Sequence, residues 1–152
     1  MNRSRQAHLR LAIFVAGLLA IFPLSEDGAN AEAVCGRALG CARKAKTLID
    51  ALDKPSGEGA DSIRFGLALH LGPVMYGNIG GGNRLDFTCI GPAVNLAARL
   101  EKIAGRINRT IVASADFAGI CKGGWIDLGE FPIAGFARAE RIYGLPDEAP
   151  AA

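Results

Sequence analysis

The chain has 152 residues, half of them hydrophobic and 21% charged, with a formal net charge of +2. That length and composition fit one globular domain with a sizeable core, and the near-balance of charge rules out recognition of nucleic acid or an anionic membrane by bulk charge. The four cysteines, Cys35, Cys41, Cys89 and Cys121, stand at neither zinc-ligand nor redox spacing, so reduced, mostly buried thiols are expected.

Taken in chain order, the N-terminus imitates a secretory signal. Arg3, Arg5 and Arg10 lead into the apolar run LAIFVAGLLAIFPL (residues 11–24), and ANA at 29–31 has the small residues of a cleavage site. The tripeptides NRS (2–4) and NRT (108–110) would serve as glycosylation sequons. Against this, the run is too short to cross a bilayer as a helix, and its Phe and Ile content suits a buried strand. From this segment alone both readings stand.

PLSEDGAN (23–30) is turn chemistry, with Asn30 placed to cap a helix. Val34, Ala38, Cys41, Ala42, Ala45, Leu48, Ile49 and Leu52 then recur at helical spacing, and basic residues fill much of the other face. Residues 53–62 read as a loop, and IRFGLALHLG (63–72) alternates as a strand, with Ile63, Phe65, Leu67 and Leu69 on one side. PVMYGNIG suggests a second strand, GGGNR (80–84) a flexible turn and LDFTCI (85–90) a third strand. The glycines of that turn lack the following helix and the lysine of a phosphate cradle.

A helix from about Pro92 to Ile103 follows, with proline in its first turn, where a missing N–H does no harm. TIVAS (110–114) reads as a strand, ADFAGICK as a short helix, and WIDLGEFPI and RAERIYGL as a closing pair of strands. The tail, residues 146–152, is expected to fray. The order implies an α/β, or α+β, sandwich with a mixed sheet and packed helices. No internal repeat or linker divides the chain.

Within the second helix, GPAVNLAAR (91–99) places Asn95 and Arg99 four positions apart, on one helical face. Taken alone, the pair fits either a solvated edge or a site for an anion.

Three stretches carry a family resemblance: IRFGLALHLGPVMYGNIG, RLDFTCIGPAVNLAARLE and LGEFPIAGFARAERIYGL, in that order. Together they resemble the C-terminal part of class III adenylate/guanylate cyclase catalytic domains. AGLLAIFPLSEDGANAEAVCGRALGCARKAK looks like the strand, turn and long helix that precede them in that family, which favours a core strand over a signal. The resemblance implies a ferredoxin-like nucleotide cyclase fold over residues 17–145, preceded by a divergent lead-in at 1–16. It also implies that Asn95 orients the ribose, that Arg99 neutralises phosphate charge as the ring closes, and that Thr88 helps read the purine. His70 at a strand end and Tyr76 on the hairpin read as structural.

The departures are as informative. The family holds two divalent cations, Mg2+ or Mn2+, on two aspartates. No segment here matches the motif of the first, and Ala16 stands where the second is expected. Ala12 falls at the place of a purine-binding lysine, Gly91-Pro92 replaces a Gly-Asp pair, and Ala134 stands where a lysine is often found. The first strand and helices of the family fold have no counterpart, as in a truncated or degenerate copy. The resemblance thus implies a partial cyclase domain related to the conversion of ATP to cyclic AMP and pyrophosphate. It is expected to pair as a homodimer or as a heterodimer with another cyclase domain, to be inactive alone and as a homodimer, and to act only with a partner that supplies the aspartates. The alternatives are a catalytically dead dimerisation or regulatory module and, less favoured, a small secreted protein. A cytoplasmic location with no membrane span is expected.

Overall fold

A computed structural model describes residues 9–15, 17–52, 64–79 and 86–148. Eight strands and three helices follow one another as β1 (Leu9–Val15), β2 (Leu18–Pro23), α1 (Ala31–Leu52), β3 (Leu67–His70), β4 (Met75–Ile79), β5 (Asp86–Ile90), α2 (Pro92–Arg106), β6 (Ile111–Ser114), α3 (Ala115–Ile120), β7 (Ile126–Phe131) and β8 (Glu140–Gly144). Six strands form a mixed sheet in the order β2-β1-β3-β6-β8-β7, in which β3 and β6 run parallel. The β4–β5 ribbon forms a separate two-stranded antiparallel sheet. The α/β sandwich expected from the sequence is therefore observed.

The core follows from strand alternation. Leu67, Leu69, Ile111 and Ala113 point to one face of the sheet, where they pack with Val34, Cys35, Ala38, Leu39 and Ala42 of α1 and Phe117 of α3. Ala68 and Val112, the intervening residues, point to the other face and meet Leu96, Leu100, Ile103 and Ala104 of α2. All of β3 and β6 is buried, as expected of central strands covered on both sides. The burial of Cys35 pushes its thiol up to about 11, with Cys121 nearby adding to the effect. All four cysteines are free thiols, but Cys41 is exposed rather than buried.

Several expectations are corrected. The run 11–24 is not one strand: it folds back at Gly17 (φ 94°) into the β1–β2 hairpin, with Val15 opposite Leu18. Hydrophobicity cannot register such a turn when both arms are apolar; the positive φ at glycine permits it. The apolar stripe of α1 extends less far than its spacing suggests, because Leu48 and Leu52 are 57% and 76% exposed. Asn30 turns its Oδ1 back to accept from the Ser25 N–H (2.8 Å) and hydroxyl (3.0 Å). α2 runs one turn further than expected, to Arg106.

The beginning of the expected frayed tail is held in place. The Glu148 carboxylate accepts from the N–H groups of Thr110 (2.9 Å) and Ile111 (3.0 Å), and Arg109 donates to the carbonyls of Leu145 and Glu148. The expected loop at 53–62, the turn at 80–84 and Ala16 lie outside the described residues. Among the described residues no helix is long and apolar enough to cross a membrane.

Candidate functional site

α2 has two unlike faces. Ala93, Leu96, Ala97, Leu100, Ile103 and Ala104 are buried against the sheet, which fixes the helix's rotation about its axis. Asn95, Arg99, Lys102 and Arg106 are thereby turned outward, all exposed. The start of the helix is set by Gly91, whose φ of 143° lies outside the range open to other residues, followed by Pro92. Gly72 allows the β3–β4 connection to approach, since a Cβ there would lie 2.7 Å from that of Ala93.

The opposite wall comes from the β7–β8 connection. Ile133 is buried beneath α2, and the Phe136 N–H closes a turn onto the Ile133 carbonyl at 3.0 Å. Gly135 takes a φ of 87° within that turn. Between the two walls is an open cleft of about 580 Å³, bounded by Asn95, Arg99 and Lys102 on one side and by Ala134, Gly135 and Phe136 on the other. Asn95 and Arg99, paired by sequence spacing, thus face one cavity.

Thr88 is not brought to them. It stands on β5 opposite Gly77, half-buried in the β4–β5 ribbon, and does not line this cleft. Lys102 was missed by the sequence reading, although its position three residues after Arg99 was a usable signal. Ala134, noted as a departure from the family pattern, forms part of the far wall.

The chemistry available is binding rather than proton transfer. An amide can donate and accept, and a guanidinium and an ammonium can hold anionic oxygens, but the lining includes no carboxylate, imidazole or thiol. A single amide oxygen beside two cations does not fit a divalent cation, which takes several carboxylate and carbonyl oxygens. Among the described residues no group of three His, Cys, Asp or Glu side chains could hold a metal.

His70 lies elsewhere, at the end of β3. It is buried, with Nδ1 2.8 Å from the Ser114 hydroxyl, which also accepts from the Phe117 N–H at the start of α3. Burial lowers its pKa below the usual histidine value, partly opposed by Asp116. It ties β3, β6 and α3 together.

No family profile matches the chain. It is 31% identical to adenylate cyclase 1 of Rhizobium meliloti (strain 1021) over 114 residues, which cover 75% of this chain and 16% of that protein. The chain thus spans about a sixth of the length of that curated relative. The crystal structure of the adenylyl cyclase CyaB from P. aeruginosa superimposes with a TM-score of 0.57 at 27% identity, covering 91% of this chain and 72% of that one. The guanylyl cyclase Cya2 shares the fold with a TM-score of 0.63 at 18% identity, over 87% and 68% of the two chains.

Proposed function

This chain belongs to the class III adenylyl and guanylyl cyclase catalytic domains, and on that premise we propose that it contributes the nucleotide-binding half of a shared active site converting ATP to cyclic AMP and pyrophosphate. One observation carries the reading: Asn95 and Arg99 lie on one ridge of α2 and line the same cleft, whose charges among the described residues are all positive. In cyclisation the ribose 3′-oxygen bonds to the α-phosphorus and the bond to pyrophosphate breaks, so negative charge shifts among phosphate oxygens. A guanidinium fixed beside that charge stabilises the transition state more than the ground state. An amide one turn earlier suits the sugar, because it can both donate to and accept from hydroxyls.

Among the described residues the cleft includes no base for the 3′-hydroxyl proton and no carboxylate ligand for Mg2+ or Mn2+. Both must come from elsewhere, and a second cyclase domain with intact aspartates is the proposed source. Thr88 supports ATP over GTP only through the family resemblance. A cytoplasmic location suits both the substrate and the four free thiols.

The test is complementation. The purified chain, ATP and Mn2+ are incubated with and without a cyclase protomer that keeps its aspartates but lacks its Asn/Arg pair. Cyclic AMP is expected in the mixture only. Its absence from both reactions tells against catalysis and leaves a dimerisation or regulatory module, the reading favoured by a cleft without a carboxylate.

A further inference from the structure

The cleft does not end at Lys102. A second cleft of about 410 Å³ continues it along α2, lined by Arg99, Lys102, Ile103, Arg106, Pro132, Ile133 and Ala134, and the two share Arg99, Lys102 and Ala134. Arg99, Lys102 and Arg106 stand at helical spacings of three and four, which stacks them along one side of α2. The rise of a helix puts the first and last about 10 Å apart along the axis.

None of the three side chains makes an ion pair or hydrogen bond among the described residues. Elsewhere on the surface cations do find anions: Arg43 pairs with Asp147 at 2.8 Å, and Arg141 with both Asp127 and Glu130. Three aligned cations repel one another, and no carboxylate of the cleft walls offsets that. The far wall, Pro132 to Gly135, is uncharged and confines a ligand to the ridge.

We infer that Lys102 and Arg106 extend the site into a polyphosphate track, which takes a linear chain of phosphates laid along α2 from Arg99 towards Arg106. A single phosphate covers too little of the ridge to meet all three cations. A chain of two or three phosphates distributes its charge along the ridge, and each cation gives it a charge-assisted hydrogen bond. Identifying that chain with the triphosphate end of the nucleotide rests on the cyclase reading above. In that setting Lys102 and Arg106 hold the pyrophosphate portion, leaving Arg99 for the α-phosphate.

The experiment titrates the full chain with sodium tripolyphosphate by calorimetry at constant ionic strength. Orthophosphate and a short single-stranded oligonucleotide serve as competing probes. Tripolyphosphate is expected to bind at least about tenfold more tightly than orthophosphate, and Lys102→Gln and Arg106→Gln each to weaken it about tenfold. Lys44→Gln, which removes an exposed cation from α1, is expected to change nothing. Circular dichroism confirms that each variant is folded, and both ridge positions are exposed. Equal binding by all variants, equal weakening by Lys44→Gln, or tighter binding of the oligonucleotide overturns the track. Cyclic AMP from the complementation mixture, with tripolyphosphate binding unaffected by either ridge substitution, overturns the track alone. Failed complementation, with binding weakened at both ridge positions, tells against the cyclase reading alone.

Discussion

Two groups of surface cations in this molecule behave differently. Arg43 on α1 donates to Asp147 at 2.8 Å, and Arg141 on β8 donates to Asp127 at 2.8 Å and Glu130 at 2.7 Å, across the pairing of β7 with β8. On α2, Arg99, Lys102 and Arg106 meet no acid among the described residues and border a cleft. The first group is satisfied by its own fold. The second meets no acid of the described residues and stays open to an added anion, and that separates a structural cation from one available to a ligand.

Substitutions can break the comparison from either side. The largest effect should come from the buried face that aims the ridge. Leu100 is 0% exposed, and Leu100→Ala is expected to cost about 2–5 kcal/mol in a urea unfolding titration. A loss below 1 kcal/mol would mean that α2 is not anchored as described. Next, Arg99→Ala should lower cyclic AMP formation in the complementation mixture by about a hundredfold. Its melting temperature should stay unchanged, because the side chain is exposed and unpaired. A large stability loss with little change in rate would assign Arg99 to structure.

A smaller effect concerns the buried pair away from the cleft. Burial holds the folded-state pKa of His70 below its unfolded value, so the stability it contributes is present above about pH 6.5 and declines as pH falls towards the folded pKa. The slope of stability with pH below about 6.5 should therefore be shallower in His70→Gln than in the parent chain. An identical slope in both would show that His70 is protonated without penalty. The smallest effect is expected at Arg141→Gln, which should leave the urea unfolding midpoint nearly unchanged, because its ion pairs are solvated. That change should also leave tripolyphosphate binding untouched, which sharpens the contrast between the two groups.

Much of the fold was legible in the sequence because its signals are local. The alternation of Leu67 and Leu69 with Ala68 announces a strand covered on both faces, and Gly91-Pro92 announces the start of α2. The hairpin inside residues 11–24 was not legible, because both arms are apolar and Gly17 is one small residue among others. The early tail was misread for the complementary reason. Its acids look solvated, yet Glu148 accepts from Thr110 and Ile111, whose positions depend on the β3–β6 pairing.

The sequence by itself determined that Asn95 and Arg99 share a ridge, since helical geometry needs only their spacing. It also determined the family resemblance and the alanine at the place of an expected metal ligand. Only the tertiary structure decided that the ridge faces a wall, because Pro132 to Phe136 arrive there through β7, more than thirty residues later. It decided too which arginines are paired and which are not. Ion pairing depends on distance through space, and the fold sets that distance after the chain has closed its sheet.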